Sequence, residues 1–313
     1  MENGTSSLYF YFTMFEDLGQ KRYAFFCLGL VLYCIIVFFN VNVLLVIFLE
    51  KTLHEPMYLF ISCLSINSLY GTAAVFPRLL IDLLSEVHAI SRFACYLQIF
   101  IIYTYASYEF TILTLMAYDR YVAICKPLQY HRIMTPKSTA VMIGIVWIYP
   151  LFSIGFGVVL SARLPLCGNE LTKLYCSNWS VVKLSCTDTT FNNIVGFFVM
   201  ITTVFIPMGS ILFSYVKILM ICYKKSSEFK SKAFHTCLPH IVTFVNYSIA
   251  IFCEITFSRF NPGEFPEFAA VILSLEFIVI PPVLNPLVYG LNFPEIHRKN
   301  VCISQLTNSV LNS

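Results

Sequence analysis

Seven long apolar stretches constrain this chain more than any other feature. They are Tyr23 to Leu49, Pro56 to Pro77, Phe93 to Tyr118, Ser138 to Ala162, Thr189 to Val216, Ala233 to Cys253 and Phe268 to Asn292. A bilayer core of roughly 30 Å is crossed by about 20 apolar residues in helical form. Each stretch meets that length, and only Glu109 and Glu276 interrupt the set with an acid. The runs are continuous rather than alternating, so they predict helices and not barrel strands. The fold class is therefore all-α, a seven-helix transmembrane bundle forming one domain. Residues 1–22 are its outer tail, 23–292 the bundle and 293–313 the inner tail. A hydrophobic fraction of 58% with only 12% charged residues excludes a disordered chain. A net charge of +3 gives no basic field for nucleic acid.

Polar residues before Tyr23, with Glu16 and Asp17 among them, leave no room for a cleavable signal. The basic residues set an orientation. With the N-terminus outside, 12 bases fall inside and 8 outside, and the inner loop around Lys224, Lys225, Lys230 and Lys232 is densest. The positive-inside rule then expects a multi-pass plasma-membrane protein with its C-terminus in the cytoplasm. Lys21 and Arg22 vote locally against this. Asn3-Gly4-Thr5 is a glycosylation sequon on the outer tail. Asn178-Trp179-Ser180 is a second, in the long outer loop, and Asn246-Tyr247-Ser248 a third, within a span. Four cysteines fall outside: Cys95, Cys167, Cys176 and Cys186. Four in an oxidising compartment suggest two disulfides, and sequence alone leaves three pairings open. That loop contains no His, so no zinc site is expected, nor any other metal or cofactor.

Four motifs narrow the reading. Met116-Ala117-Tyr118-Asp119-Arg120-Tyr121-Val122-Ala123-Ile124-Cys125 ends span three. Pro281-Pro282-Val283-Leu284-Asn285-Pro286-Leu287-Val288-Tyr289 ends span seven. Lys232-Ala233-Phe234-His235-Thr236-Cys237-Leu238-Pro239-His240 opens span six, and Leu53-His54-Glu55-Pro56-Met57-Tyr58 fills the first inner loop. An acid–base pair at a membrane boundary is costly unless it has a purpose. A permanently charged guanidinium can pair with its neighbouring carboxylate or leave it for a partner. Together these motifs closely resemble the vertebrate odorant receptors, a branch of the rhodopsin-like G-protein-coupled receptors, from about residue 23 to residue 300.

The resemblance implies a receptor that binds a small odorant and activates a stimulatory heterotrimeric G protein, raising cyclic AMP. It is not expected to be an enzyme. It implies that Asp119 and Arg120, followed by Tyr121, form the activation switch, and that Tyr215 and Tyr289 move toward Arg120. Pro127-Leu128 match an apolar plug against the G protein, with Lys232, His240, Asn285 and Pro286 as further switch positions. It also pairs Cys95 with Cys176, leaving Cys167 with Cys186.

Several positions depart from the family. Ser68 stands where a span-two Asp is usual, which puts the family's sodium site in doubt although Glu109 keeps the second acid. Asn40 and Asn42 compete for one span-one position, and Asn42 is favoured. Tyr247-Ser248 and Pro239 also differ, closer to fish-type members. Asn285 is expected to supply polar contacts to backbone freed by the prolines.

At helical spacing, the inward face for a ligand comprises Ile99, Tyr103, Ala106, Ser107 and Phe110 on span three, with Val199 and Thr203 on span five. Ser248, Ile251, Ile255 and Arg259 follow on span six, then Leu275 and Ile278 on span seven. Arg259 reads either as a contact for an anionic head group or as the partner of Glu254, Glu264 or Glu267. After span seven, Phe293 to Cys302 reads as a short amphipathic helix on membrane lipid, with Cys302 open to palmitoylation. A transporter is disfavoured because no inverted repeat is visible, and an enzyme because no catalytic motif is. The alternative is a non-olfactory rhodopsin-like receptor for another small molecule.

Overall fold

The computed structural model describes residues 8–15, 19–257 and 267–292. Its long helices are α1 (Lys21–Leu49), α2 (Pro56–Leu84), α3 (Arg92–Cys125), α4 (Pro136–Ala162), α5 (Thr190–Tyr223), α6 (Ser227–Phe257) and α7 (Glu267–Asn292). The first six are long and apolar enough to cross a membrane, and α7 carries the shorter apolar stretch Leu275–Tyr289. The molecule is thus the expected all-α membrane bundle. Every helix begins and ends within a few residues of the apolar run that predicts it, except where charge hides helix. α2 runs on past Pro77 because Arg78 pairs with Asp82 one turn later, at 2.6 Å. Arg78 also donates to the Ala89 carbonyl at 2.6 Å, tying the end of α2 to the next loop.

α3 is the axis of the bundle and packs against α2, α4, α5 and α6, while α7 closes the ring against α1, α2 and α6. Prolines shape the interior contacts. A proline has no N–H, so the carbonyl four residues earlier loses its helical partner. In lipid that carbonyl must be satisfied by protein. Pro281 orphans the Phe277 carbonyl, and the Tyr105 hydroxyl of α3 donates to it at 3.0 Å. Pro286 orphans the Pro282 carbonyl, and the Asn40 amide of α1 donates to it at 2.9 Å. The backbone freed in α7 is therefore served by Tyr105 and Asn40, not by Asn285. Asn40 is wholly buried, whereas Asn42 is only partly buried and bonds its own helix at Phe38. The preference for Asn42 is thereby corrected. Two residues along a helix turn the side chain about 200°, and only one of the two can face α7. In α5, Ile201–Phe205 forms a π-helical turn just before Pro207, with the Ile206 amide reaching back to the Ile201 carbonyl.

One end of the bundle carries a small sheet that hydropathy did not announce. Strand β1 (Tyr9–Phe12) lies between β2 (Ala89–Ser91), antiparallel, and β3 (Glu170–Leu171), parallel. Within β1, Phe10 and Phe12 are buried while Tyr9 and Tyr11 face out, the period-two alternation of a half-buried strand. With Phe15 they join Leu79, Leu83, Ile90, Ile99 and Leu174 in a second apolar cluster capping the main core. This part of the segment read as a polar tail is thus structural.

Candidate functional site

Beneath the sheet lies a cavity of about 250 Å³ between α3, α4, α5, α6 and α7. The loop from Arg163 to Thr189 roofs it. Cys95 at the start of α3 is bonded to Cys176 in that loop, and Cys167 to Cys186. The Cys176 amide also donates to Gln98 at 2.9 Å. Ser177 then caps a short helix, Asn178–Val182, accepting from the Ser180 amide. These restraints bring Tyr175, Asn178 and Trp179 to the cavity wall. Asn178 is part of that wall and its Oδ1 is shielded from solvent, although it belongs to a sequon.

Of the residues set out for ligand contact, Ile99, Tyr103, Ala106, Ser107, Val199, Thr203, Ile251 and Ile255 line this one cavity. Ile278 does not. It is fully buried in the interhelical core, and its neighbour Phe277 faces the cavity instead, because successive helical residues point about 100° apart. Phe110 packs edge-on against Tyr247 in the core, with ring centroids 4.8 Å apart. Arg259 and Asn3 lie outside the described residues, as do the side chain of Lys232 and the stretch from Phe293 to Cys302. Glu254 is also in the lining. Its partner is Lys173 of the roof, whose Nζ donates to Oε1 at 2.6 Å. That ion pair spans 81 residues of sequence, so no local pattern could have revealed it. Burial, and then the Glu254 charge beside it, holds the Tyr175 phenol well above its usual range.

Midway along the bundle, Glu109 is fully buried and accepts two amide bonds. Asn67 Nδ2 reaches Oε2 at 2.9 Å, and Asn285 Nδ2 reaches Oε1 at 2.6 Å. Asn67 also donates to the Tyr105 carbonyl at 3.1 Å. Helices α2, α3 and α7 thus meet at one carboxyl. These residues offer a sodium ion one carboxyl, and both of its oxygens already accept an amide bond. The second acid is replaced by Ser68, and amide hydrogens point at the carboxyl that would hold the cation. Replacing external sodium with choline is expected to leave ligand potency unchanged. A shift of more than about threefold would lie in the range of a real coupling energy and would overturn this reading.

At the far end from the sheet, Asp119 is buried and holds Arg120 through Nε at 3.1 Å and Nη2 at 2.7 Å. The Tyr130 hydroxyl donates to the other Asp119 oxygen at 2.8 Å. Burial, and then this carboxylate, pushes the Tyr130 phenol above its usual range. The Tyr130 contribution has no signal in the apolar runs, since it comes from a short helix after α3, Tyr130–Ile133. Around the pair, Tyr215 and Tyr289 are buried, and His240 lies against Tyr289 with ring centroids 5.3 Å apart. Pro286 is buried beside Asn285. Lys126 stands 5.8 Å over the Tyr121 ring, and Leu128 is fully exposed on the surface.

Comparison with known proteins bears on both ends of this bundle. The sequence profile of the family described as "Olfactory receptor" matches residues 26–307. Human olfactory receptor 6K3 is 32% identical over 98% of this chain and 94% of its own. Human olfactory receptor 6N1 is 35% identical over 90% of each chain. Human olfactory receptor 51L1 is 36% identical over 87% of this chain and 85% of its own. With a helical bundle that spans the membrane several times, a roofed cavity and the Asp119–Arg120 pair in place, this chain belongs to the olfactory receptor family of G-protein-coupled receptors.

Proposed function

We propose that this receptor binds a small organic odorant in the cavity under the sheet and activates a stimulatory heterotrimeric G protein, raising cyclic AMP. The observation that carries the reading is that α3 holds both the cavity floor and the Asp119–Arg120 pair. Ser107 and Arg120 are 13 residues apart on it, about 20 Å at 1.5 Å per residue. A ligand that binds one packing of the bundle better than another shifts the population toward it. The favoured packing is one in which Arg120 leaves Asp119 and meets the G protein, with Tyr215 and Tyr289 closing on it. The exposed Leu128 supplies an apolar contact for that partner.

The sheet end faces outward and the C-terminus lies in the cytoplasm of a plasma-membrane receptor. Two disulfides at the sheet end suit an oxidising compartment, and Cys125, Cys222 and Cys237 are free. The excess of basic residues at the opposite end agrees. Asn3 on the outer tail is the glycan acceptor in this arrangement.

The test is cyclic AMP output to an odorant panel in cells carrying the wild type or Arg120→Ala, with surface receptor measured in parallel. The variant is expected to lose at least about tenfold in response at equal surface level, the scale of an allosteric coupling. An Arg120→Ala receptor that signals normally would sink the proposed switch.

A further inference from the structure

We infer that the cavity selects amines: a small ligand whose protonated amino group meets Glu254 while its apolar body lies deeper in the bundle. This rests on the cavity being the ligand site. Glu254 is the one charged side chain among the residues described as lining it. Lys173 reaches Glu254 Oε1 without itself joining the lining, and stands 5.4 Å over the Tyr175 ring. The roof thus keeps its own cation in place and offsets the cost of a partly buried carboxylate. The second oxygen, Oε2, is shielded from solvent and is not taken by Lys173, and the Tyr175 phenol is the neutral group beside the carboxylate. Asn178, another lining residue, carries a second shielded acceptor without a donor, its Oδ1.

Neutral donors such as Tyr175 and Asn192 also belong to the lining, so what distinguishes the site is its one charge, the Glu254 carboxylate, which calls for cationic hydrogen-bond donors. An ammonium supplies three, and a charge with them. An alcohol supplies one donor and no charge. A carboxylate supplies none and would be repelled by Glu254. The rest of the wall carries no charge, and Ile102, Ala106, Val199, Met200, Ile251 and Phe277 give it a large apolar share. A cavity of roughly 150 Å³ holds benzene. At about 250 Å³ this one takes a body somewhat larger than a single ring.

The experiment compares phenylethylamine, phenylethanol and phenylacetic acid, three ligands sharing one apolar body, by cyclic AMP output. They are applied to the wild type, to Glu254→Gln, and to the exchange Lys173→Glu with Glu254→Lys. The exchange keeps the ion pair while turning the cavity wall cationic. In the wild type the amine is expected to be the most potent and the acid the weakest. The amine should lead the alcohol by roughly ten- to a hundredfold, the scale of a hydrogen bond to a charged group. Glu254→Gln is expected to bring the amine down to the level of the alcohol. The exchange is expected to invert the order, with the acid most potent, which a pair serving only to hold the roof would not do. Surface staining checks that each variant folds.

A wild type that prefers the alcohol or acid, or an exchange that still prefers the amine, overturns the inference. So does silence of all three ligands where other odorants act. If Ala106→Trp, which fills the cavity, leaves every odorant response intact, the underlying reading of the cavity fails instead.

Discussion

Glu109→Ala is expected to remove most of the receptor from the cell surface. The substitution strips the shared acceptor from Asn67 and Asn285, which now bond it at 2.9 and 2.6 Å. Each amide left unmet in the interior costs about 1–3 kcal/mol. The deleted side chain adds a void at a fully buried point where α2, α3 and α7 meet. The sum is comparable to the whole stability of a typical domain, about 5–15 kcal/mol. Glu109→Gln should fall between alanine and the parent. The glutamine offers one oxygen to one asparagine and an amide group to the other. Both Asn67 Oδ1 and Asn285 Oδ1 lack partners, so either side chain can turn its oxygen to receive that amide. Flow cytometry of tagged receptor, with thermal unfolding of detergent-solubilised protein, ranks the three. Alanine and glutamine behaving alike would show that the carboxyl's bonds contribute little.

The second large effect is expected from Gly71→Ala, a change that adds one methyl group. At Gly71, α2 passes so close to α3 that a Cβ would overlap the ring of Tyr105. Tyr105 is fully buried, and its hydroxyl satisfies the Phe277 carbonyl that Pro281 leaves without a partner. The ring has no open space to enter, so the helices must separate or the hydroxyl must leave Phe277. Overpacking of this kind costs about 1–3 kcal/mol. The abandoned carbonyl then faces an apolar interior with no water to replace the tyrosine. Surface receptor should fall several-fold and the melting temperature should drop; by the same reasoning Gly144→Ala, where a Cβ meets nothing within 4 Å, should change neither. Equal behaviour of the two alanine variants would mean that the α2–α3 approach tolerates a side chain.

Both predictions concern polar or small residues inside apolar helices, and those are where sequence reasoning ran short. Hydropathy located the helices because each apolar run must hide its own backbone in lipid. It erred at Arg78 and Asp82, where an ion pair one turn apart continues a helix that composition would end. It missed β1, whose alternating aromatics form a four-residue signal too short to stand out in a chain with 30 Phe and 19 Tyr. The cavity wall was legible on α3, α5 and α6, since inward spacing on a helix of known direction selects Tyr103, Thr203 and Ile251. On α7 the same reasoning chose Ile278 and missed Phe277. The contributions of the roof, Tyr175, Asn178 and Trp179, have no periodicity to read.

The sequence by itself determined the membrane bundle and the family. Continuous apolar length and the motifs around Asp119–Arg120 and Asn285–Pro286 are local properties, fixed by the chain's own order. Only the tertiary structure decided which polar groups meet. It gave Lys173 to Glu254, Asn285 to Glu109 and Asn40 to the carbonyl freed by Pro286. Each pairing joins residues tens to hundreds of positions apart. In an apolar interior every such group must find a partner, but which partner it finds depends on how the helices pack.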